Sequence, residues 1–184
     1  MKHVLIVSII TLFVGSWISC NQRSYAQKAE DKNSGAARYA QELPDFSLPD
    51  PDGIKHTKKS VLKDGVVFVV TSPILSQSDE QKDWAKMLAD SRSGAKAQLI
   101  FLEDMQPSNF KGAARSKMKQ QFKPGQALLL LLDEKGKLRR GLKVTEEDTV
   151  VLVYDTHGKL IHAESGNPSA ERASAIWKKL DETK

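Results

Sequence analysis

Three short, unbroken apolar runs limit what this chain can become. Val66–Val70, 99–102 and 128–132 are each four or five residues of Val, Leu, Ile or Phe. Such a run cannot present alternate residues to water, so it reads as a strand buried on both faces. Between the runs the apolar period changes to that of a helix. In 79–91 Trp84, Met87 and Leu88 share one face, and in 108–122 Phe110, Ala114, Met118 and Phe122 recur every four residues before Pro124-Gly125 stops the pattern.

The flanking segments extend the pattern. Pro44-Asp45-Phe46-Ser47-Leu48 alternates apolar and polar and runs into the turn Asp50-Pro51-Asp52-Gly53, which predicts a leading hairpin. Strands at 149–154 and 159–163 flank Asp155-Thr156-His157-Gly158, a second hairpin signal. Asn167 is placed to cap a closing helix with Pro168 at its first position, and Ala173, Ile176, Trp177 and Leu180 form its apolar stripe. Strands alternating with helices and then a hairpin and helix predict an α/β fold: a central mixed sheet covered on both faces, with an N-terminal hairpin.

The N-terminus reads as a targeting segment. Lys2 and His3 precede an almost unbroken apolar run over 4–14, and Gly15, Ser16 and Ser19 supply small residues before Cys20. The run is shorter than the ~20 apolar residues a membrane-spanning helix needs. Two processing routes fit. Trp17-Ile18-Ser19-Cys20 resembles a bacterial lipobox, with Trp17 in place of the usual leucine, and makes Cys20 a lipidation site. Ser24-Tyr25-Ala26 fits ordinary cleavage before Gln27. The expected organisation is a signal peptide over 1–19, a flexible polar tether over 20–42 and one domain over 43–184. About 140 residues suffice for a single core burying about 68% of the chain's surface. The formal charge of +5 is compatible with an anionic membrane surface or cell-wall polymer.

Three stretches together resemble the thioredoxin-like superfamily, in its exported peroxiredoxin-like (AhpC/TSA) branch. Leu43-Pro44-Asp45-Phe46-Ser47-Leu48 with Asp52-Gly53 is similar to the branch's leading hairpin. The segment from Leu131-Leu132-Asp133-Glu134-Lys135-Gly136 through Leu142-Lys143-Val144 is similar to its central "LLD-x-x-G…FGV" stretch. Val151 through Ile161 resembles its "FLID-x-x-G-x-I" hairpin. The resemblance implies a three-layer thioredoxin-like fold with a nucleophilic cysteine after the first buried strand. Here Ser76-Gln77-Ser78-Asp79 occupies that place, and Thr149 stands about where the family has a cis-proline. No cysteine follows Cys20.

That substitution excludes the usual chemistry. A thiol with pKa about 8.5, lowered at a helix N-terminus, supplies the thiolate that attacks disulfides and peroxides. A serine hydroxyl stays protonated and cannot shuttle two electrons. Ser76 and Ser78 either cap the following helix or line a ligand site there. His56, His157 and His162 are too scattered for a metal motif, Asp50 and Asp52 suit a turn, and the basic clusters around Lys111–Lys119 and Lys135–Lys143 read as solvated faces. No phosphate loop or nucleophile elbow is present, nothing calls for a cofactor, and an exported chain without interleaved aromatics is not expected to bind nucleic acid. The expectation is a redox-inactive binding or assembly module of the bacterial envelope. Its partner would be a protein or peptide at the edge formed by Ser76, Gln77, Ser78, Asp79 and Thr149, with membrane attachment through Cys20. The alternative is an accessory of an envelope thiol or peroxide pathway that contacts a redox partner without supplying a thiol.

Overall fold

The computed structural model describes residues 36–70, 78–92, 94, 96–105, 112, 115–116, 118–119, 128–144 and 149–183. The predicted hairpin is present as β1 (Ser47–Pro49) and β2 (Lys55–Thr57), antiparallel with Leu48 opposite His56. Its turn is closed by Asp50, whose Oδ1 accepts the Asp52 and Ile54 amides at 2.9 Å each. The central sheet has five strands: β3 (Val66–Val70), β4 (Gln98–Asp104), β5 (Leu128–Asp133), β6 (Val150–Tyr154) and β7 (Leu160–Ser165). They lie in the order β5-β4-β3-β6-β7. β3 is parallel to β4 and antiparallel to β6, β4 is parallel to β5, and β6 is antiparallel to β7.

All five β3 residues are buried because both faces of the strand are covered. Val66, Phe68 and Val70 pack with Leu43, Leu62, Leu131, Leu142 and Leu152 on one side. On the other side Val67 and Val69 meet Trp84 and Leu88 of α2 (Ser78–Asp90) and Ile176, Trp177 and Leu180 of α4 (Ala170–Asp181). Each such side chain contributes about 1.5–3 kcal/mol when fully buried. The indole N–H groups are not left unpaired in this layer. Trp84 Nε1 donates to the carbonyl of Gly166, just after β7, at 2.7 Å, and Trp177 Nε1 of α4 donates to the Leu88 carbonyl of α2 at 2.9 Å, the second bond tying the two helices together.

Two short helices escaped the periodicity argument. α1 (Lys58–Val61) is set by a capping box: Thr57 Oγ1 accepts the Ser60 amide and Ser60 Oγ accepts the Thr57 amide. α3 (Lys137–Gly141) follows the predicted 133–136 turn. Asp133 starts it by accepting the Lys137 and Arg139 amides, both at 2.9 Å, and Leu138 and Leu142 are buried beneath it. In the predicted 108–122 helix, the described residues Gly112, Arg115, Ser116, Met118 and Lys119 are helical.

The start of α4 corrects the sequence reading. Ser169, not Asn167, is the N-cap: its hydroxyl accepts the Arg172 amide, and Pro168 lies before the helix. The Asn167 carbonyl is instead taken by the Arg172 guanidinium. The packed chain also extends upstream of Leu43. Tyr39 and Ala40 are buried, the Ala40 amide donates to the Leu142 carbonyl at 3.2 Å, and the Ala40 carbonyl accepts Tyr154 Oη–H at 3.0 Å. The expected signal peptide, and the tether as far as residue 35, lie outside the described residues.

Candidate functional site

In a sheet with parallel strands, ligand sites gather beyond the carboxyl ends of those strands. Here that end is defined by register: Val70 of β3 faces Leu102 of β4 on one side and Val150 of β6 on the other. α2 begins at the same end. Gln81, buried in its first turn, donates from Nε2 to the Leu102 carbonyl at 3.3 Å. Glu80 reaches across to β6, where its Oε2 accepts the Thr149 amide at 3.3 Å.

Of the proposed edge, Asp79 and Thr149 are both at this end of the sheet. Asp79 lies exposed in the first turn of α2, with Lys82 Nζ 3.3 Å from its Oδ1. Thr149 is completely buried one residue before β6. Its Oγ1 is, among the described residues, a buried side-chain oxygen with no hydrogen-bond partner. Ser78 is the first residue of α2. Cys20, Ser76 and Gln77 lie outside the described residues.

Two further acids belong to this end and were missed in the sequence. Glu103, near the end of β4, is pushed up to about pKa 7, chiefly by burial and further by the neighbouring charge of Asp104, with Lys82 partly offsetting both. Asp104 is anchored by Arg139 of α3, whose Nε donates to its Oδ2 at 2.6 Å while Nη1 donates to the Val144 carbonyl at 2.7 Å. A carboxyl near the end of a predicted buried strand was the available signal; its surroundings were not visible in the pattern. Among the described residues, Asp79, Glu80, Glu103 and Asp104 outnumber Lys82 and Arg139 at this end although the whole chain carries +5. The arrangement suits a neutral or cationic group better than an anion, despite the helix N-terminus.

The histidines do not converge. His56 Nε2 lies 3.1 Å from Asp50 Oδ2 in the hairpin, and His162 Nε2 lies 2.8 Å from Glu164 Oε2 on β7. Glu164 is also held by Arg172, 2.5 Å away. Burial raises the Glu164 carboxyl, but the hydrogen bonds and charges of His162 and Arg172 together hold it below the ordinary carboxylate value. Among the described residues no group of three His, Cys, Asp or Glu forms a metal site.

No protein-family model and no curated protein matches the sequence. Solved structures do resemble it. The exposed lipoprotein thioredoxin Etrx1 of Streptococcus pneumoniae is 19% identical with a TM-score of 0.54, over 76% of this chain and 99% of that one. Copper-bound ScoI of Arabidopsis thaliana is 15% identical with a TM-score of 0.59, over 78% and 99%. The bacterioferritin comigratory protein of Xanthomonas campestris is 18% identical with a TM-score of 0.57, over 79% and 98%. The mixed sheet flanked by helices, with its small N-terminal hairpin, is a thioredoxin-like fold.

Proposed function

We propose that this chain is an exported, redox-inactive thioredoxin-like module that binds a protein or peptide partner in the cell envelope and is held at the membrane by a lipid on Cys20. One observation carries the reading: a thioredoxin-like fold has no cysteine where its thiol chemistry would reside. Ser78 and Asp79 open α2, and among the described residues that end also carries the Glu80–Thr149 contact, the unpartnered Thr149 hydroxyl and the acids Glu103 and Asp104. Such groups bind an extended chain and perform no electron transfer. Export and lipidation rest on the order of residues 2–20 and are supported by a structural neighbour described as an exposed lipoprotein.

The test has three parts. The full chain shows no insulin reduction or peroxide turnover above a buffer blank; turnover in protein free of contaminating enzymes overturns the redox-inactive reading. Intact-mass measurement of membrane-extracted protein finds an acylated Cys20 terminus, whereas an unmodified chain beginning at Gln27 refutes lipidation. A partner identified from the native envelope loses affinity for Ser76→Ala or Asp79→Lys at unchanged thermal stability. If both bind like the parent, this edge is not the binding surface.

A further inference from the structure

At the opposite end of β3, before Val66, lies a cavity of about 370 Å³ lined by Asp45, Lys58, Lys59, Leu62, Lys63 and Thr156. Its volume falls in the range of small-molecule sites, about 300–1,000 Å³. Its lining includes three lysines and one carboxylate. That carboxylate, Asp45, is 99% exposed and its Oδ1 is 3.9 Å from Lys58 Nζ, a distance at which water competes effectively. Lys59 and Lys63 have no ion-pair partner among the described residues. The cavity thus carries an uncompensated excess of two positive charges.

The wall is built rather than incidental. The Thr57–Ser60 capping box fixes α1, the Leu62 amide donates to the Lys58 carbonyl, and the Gly65 amide to the Leu62 carbonyl, both at 3.1 Å. The turn bearing Thr156 is held by Asp155, whose Oδ1 accepts the His157 and Lys159 amides at 2.9 and 2.8 Å. The two walls touch at Gly158, where a Cβ would come within 3.2 Å of Leu62 Cδ1 and 3.3 Å of Lys58 Cε. Lysines on so short an element, gathered against a hydroxyl and an apolar floor, are suited to a doubly charged oxyanion carrying an organic body.

We propose that Lys58, Lys59, Lys63 and Thr156 form a binding site for a phosphate-bearing anion. Phosphate brings close to two negative charges and several strong acceptors, matching the excess charge where a carboxylate matches half of it. Leu62 gives the esterified group an apolar contact. The chemistry is shared by a phospholipid headgroup at a membrane surface and by a soluble phosphate or phosphoester, and the site is independent of the Thr149 end.

The experiment compares three full-length proteins: the parent, Lys59→Glu/Lys63→Glu, and a charge-matched control, Lys178→Glu/Lys179→Glu, on the exposed face of α4. Glycerol 3-phosphate and inorganic phosphate are titrated calorimetrically at low salt. Co-sedimentation is measured with phosphatidylcholine vesicles with and without phosphatidylglycerol. The apolar 4–14 segment is common to all three proteins, so the phosphatidylglycerol-dependent difference between parent and variants is the readout. The expected result is a loss of about tenfold or more for Lys59→Glu/Lys63→Glu and little change for the control, with unchanged melting of both. Binding confined to vesicles identifies the lipid headgroup as the source, and binding of the soluble probes alone identifies a soluble anion; either supports the site. Equal loss in the control, or no lysine-dependent binding to any probe, overturns it.

Discussion

Replacing Glu103 with glutamine stabilises the protein at alkaline pH and leaves it unchanged in acid. The Glu103 carboxyl ionises at about 7 in the folded protein, against an ordinary 4.5, because burial near the end of β4 and the charge of Asp104 disfavour its ionised form. As pH rises through 4.5 the unfolded chain releases this proton while the folded protein retains it. Stability is therefore lost between pH 4.5 and about 7 and stays lost above. At about 1.36 kcal/mol per pH unit, the displacement amounts to about 3 kcal/mol. Glutamine has the shape of the protonated acid and no charge to desolvate. Glu103→Gln thus matches the parent near pH 4 and exceeds it by up to about 3 kcal/mol at pH 8, or about 6–12 °C in Tm for a domain of this size. Urea unfolding followed by fluorescence of the buried Trp84 and Trp177 at pH 4, 6 and 8 measures the difference. A stability change that is the same at all three pH values, or a variant less stable than the parent at pH 8, refutes the reasoning.

Other substitutions probe other parts of the argument. Thr149→Val removes an unpaired buried hydroxyl at nearly constant volume and stabilises by about 1 kcal/mol in chemical denaturation; a loss of similar size would mean that the hydroxyl has a partner. Arg139→Leu removes a half-buried guanidinium from the buried Asp104 and costs more than Arg115→Leu, which at the exposed pair with Glu134 costs under about 1 kcal/mol. Comparable losses at the two sites would contradict the burial argument. Gly158→Ala forces a side chain onto a φ of 80° and into contact with Leu62, lowering stability by more than about 1 kcal/mol by thermal unfolding, while Gly53→Ala at the open hairpin turn loses only the φ penalty.

Much of this fold is legible in the sequence, for a local reason. The Val66–Val70 strand needs no partner to be recognised, because five consecutive apolar residues have one stable environment whichever elements provide it. The stripe of Ala173, Ile176, Trp177 and Leu180 is equally self-contained, since helical geometry alone puts those residues on one face. The absence of a thiol after Cys20 is a matter of composition and holds in any fold. Short helices such as α1 and α3 are different: they are made by caps, Thr57 with Ser60 and Asp133 with the Lys137 and Arg139 amides, which compete in sequence with ordinary turn signals. At α4, Asn167 and Ser169 are both acceptable caps. Only the side-chain positions around Arg172 decide for Ser169.

The functional ends belong to tertiary structure almost entirely. Glu103 is an ordinary carboxylate in the sequence, and its raised pKa comes from burial in the folded chain beside Asp104. Thr149 meets Glu80 across the sheet because β6 pairs antiparallel with β3 and so begins where β3 ends. Lys58, Lys59 and Lys63 are neighbours along the chain, but Thr156 joins them only when the β6–β7 turn packs against α1 at Gly158. Charge and hydrophobicity are properties of residues and can be read one at a time. Desolvation and convergence are properties of the distances between them, and those distances are set by which strands pair and in what register.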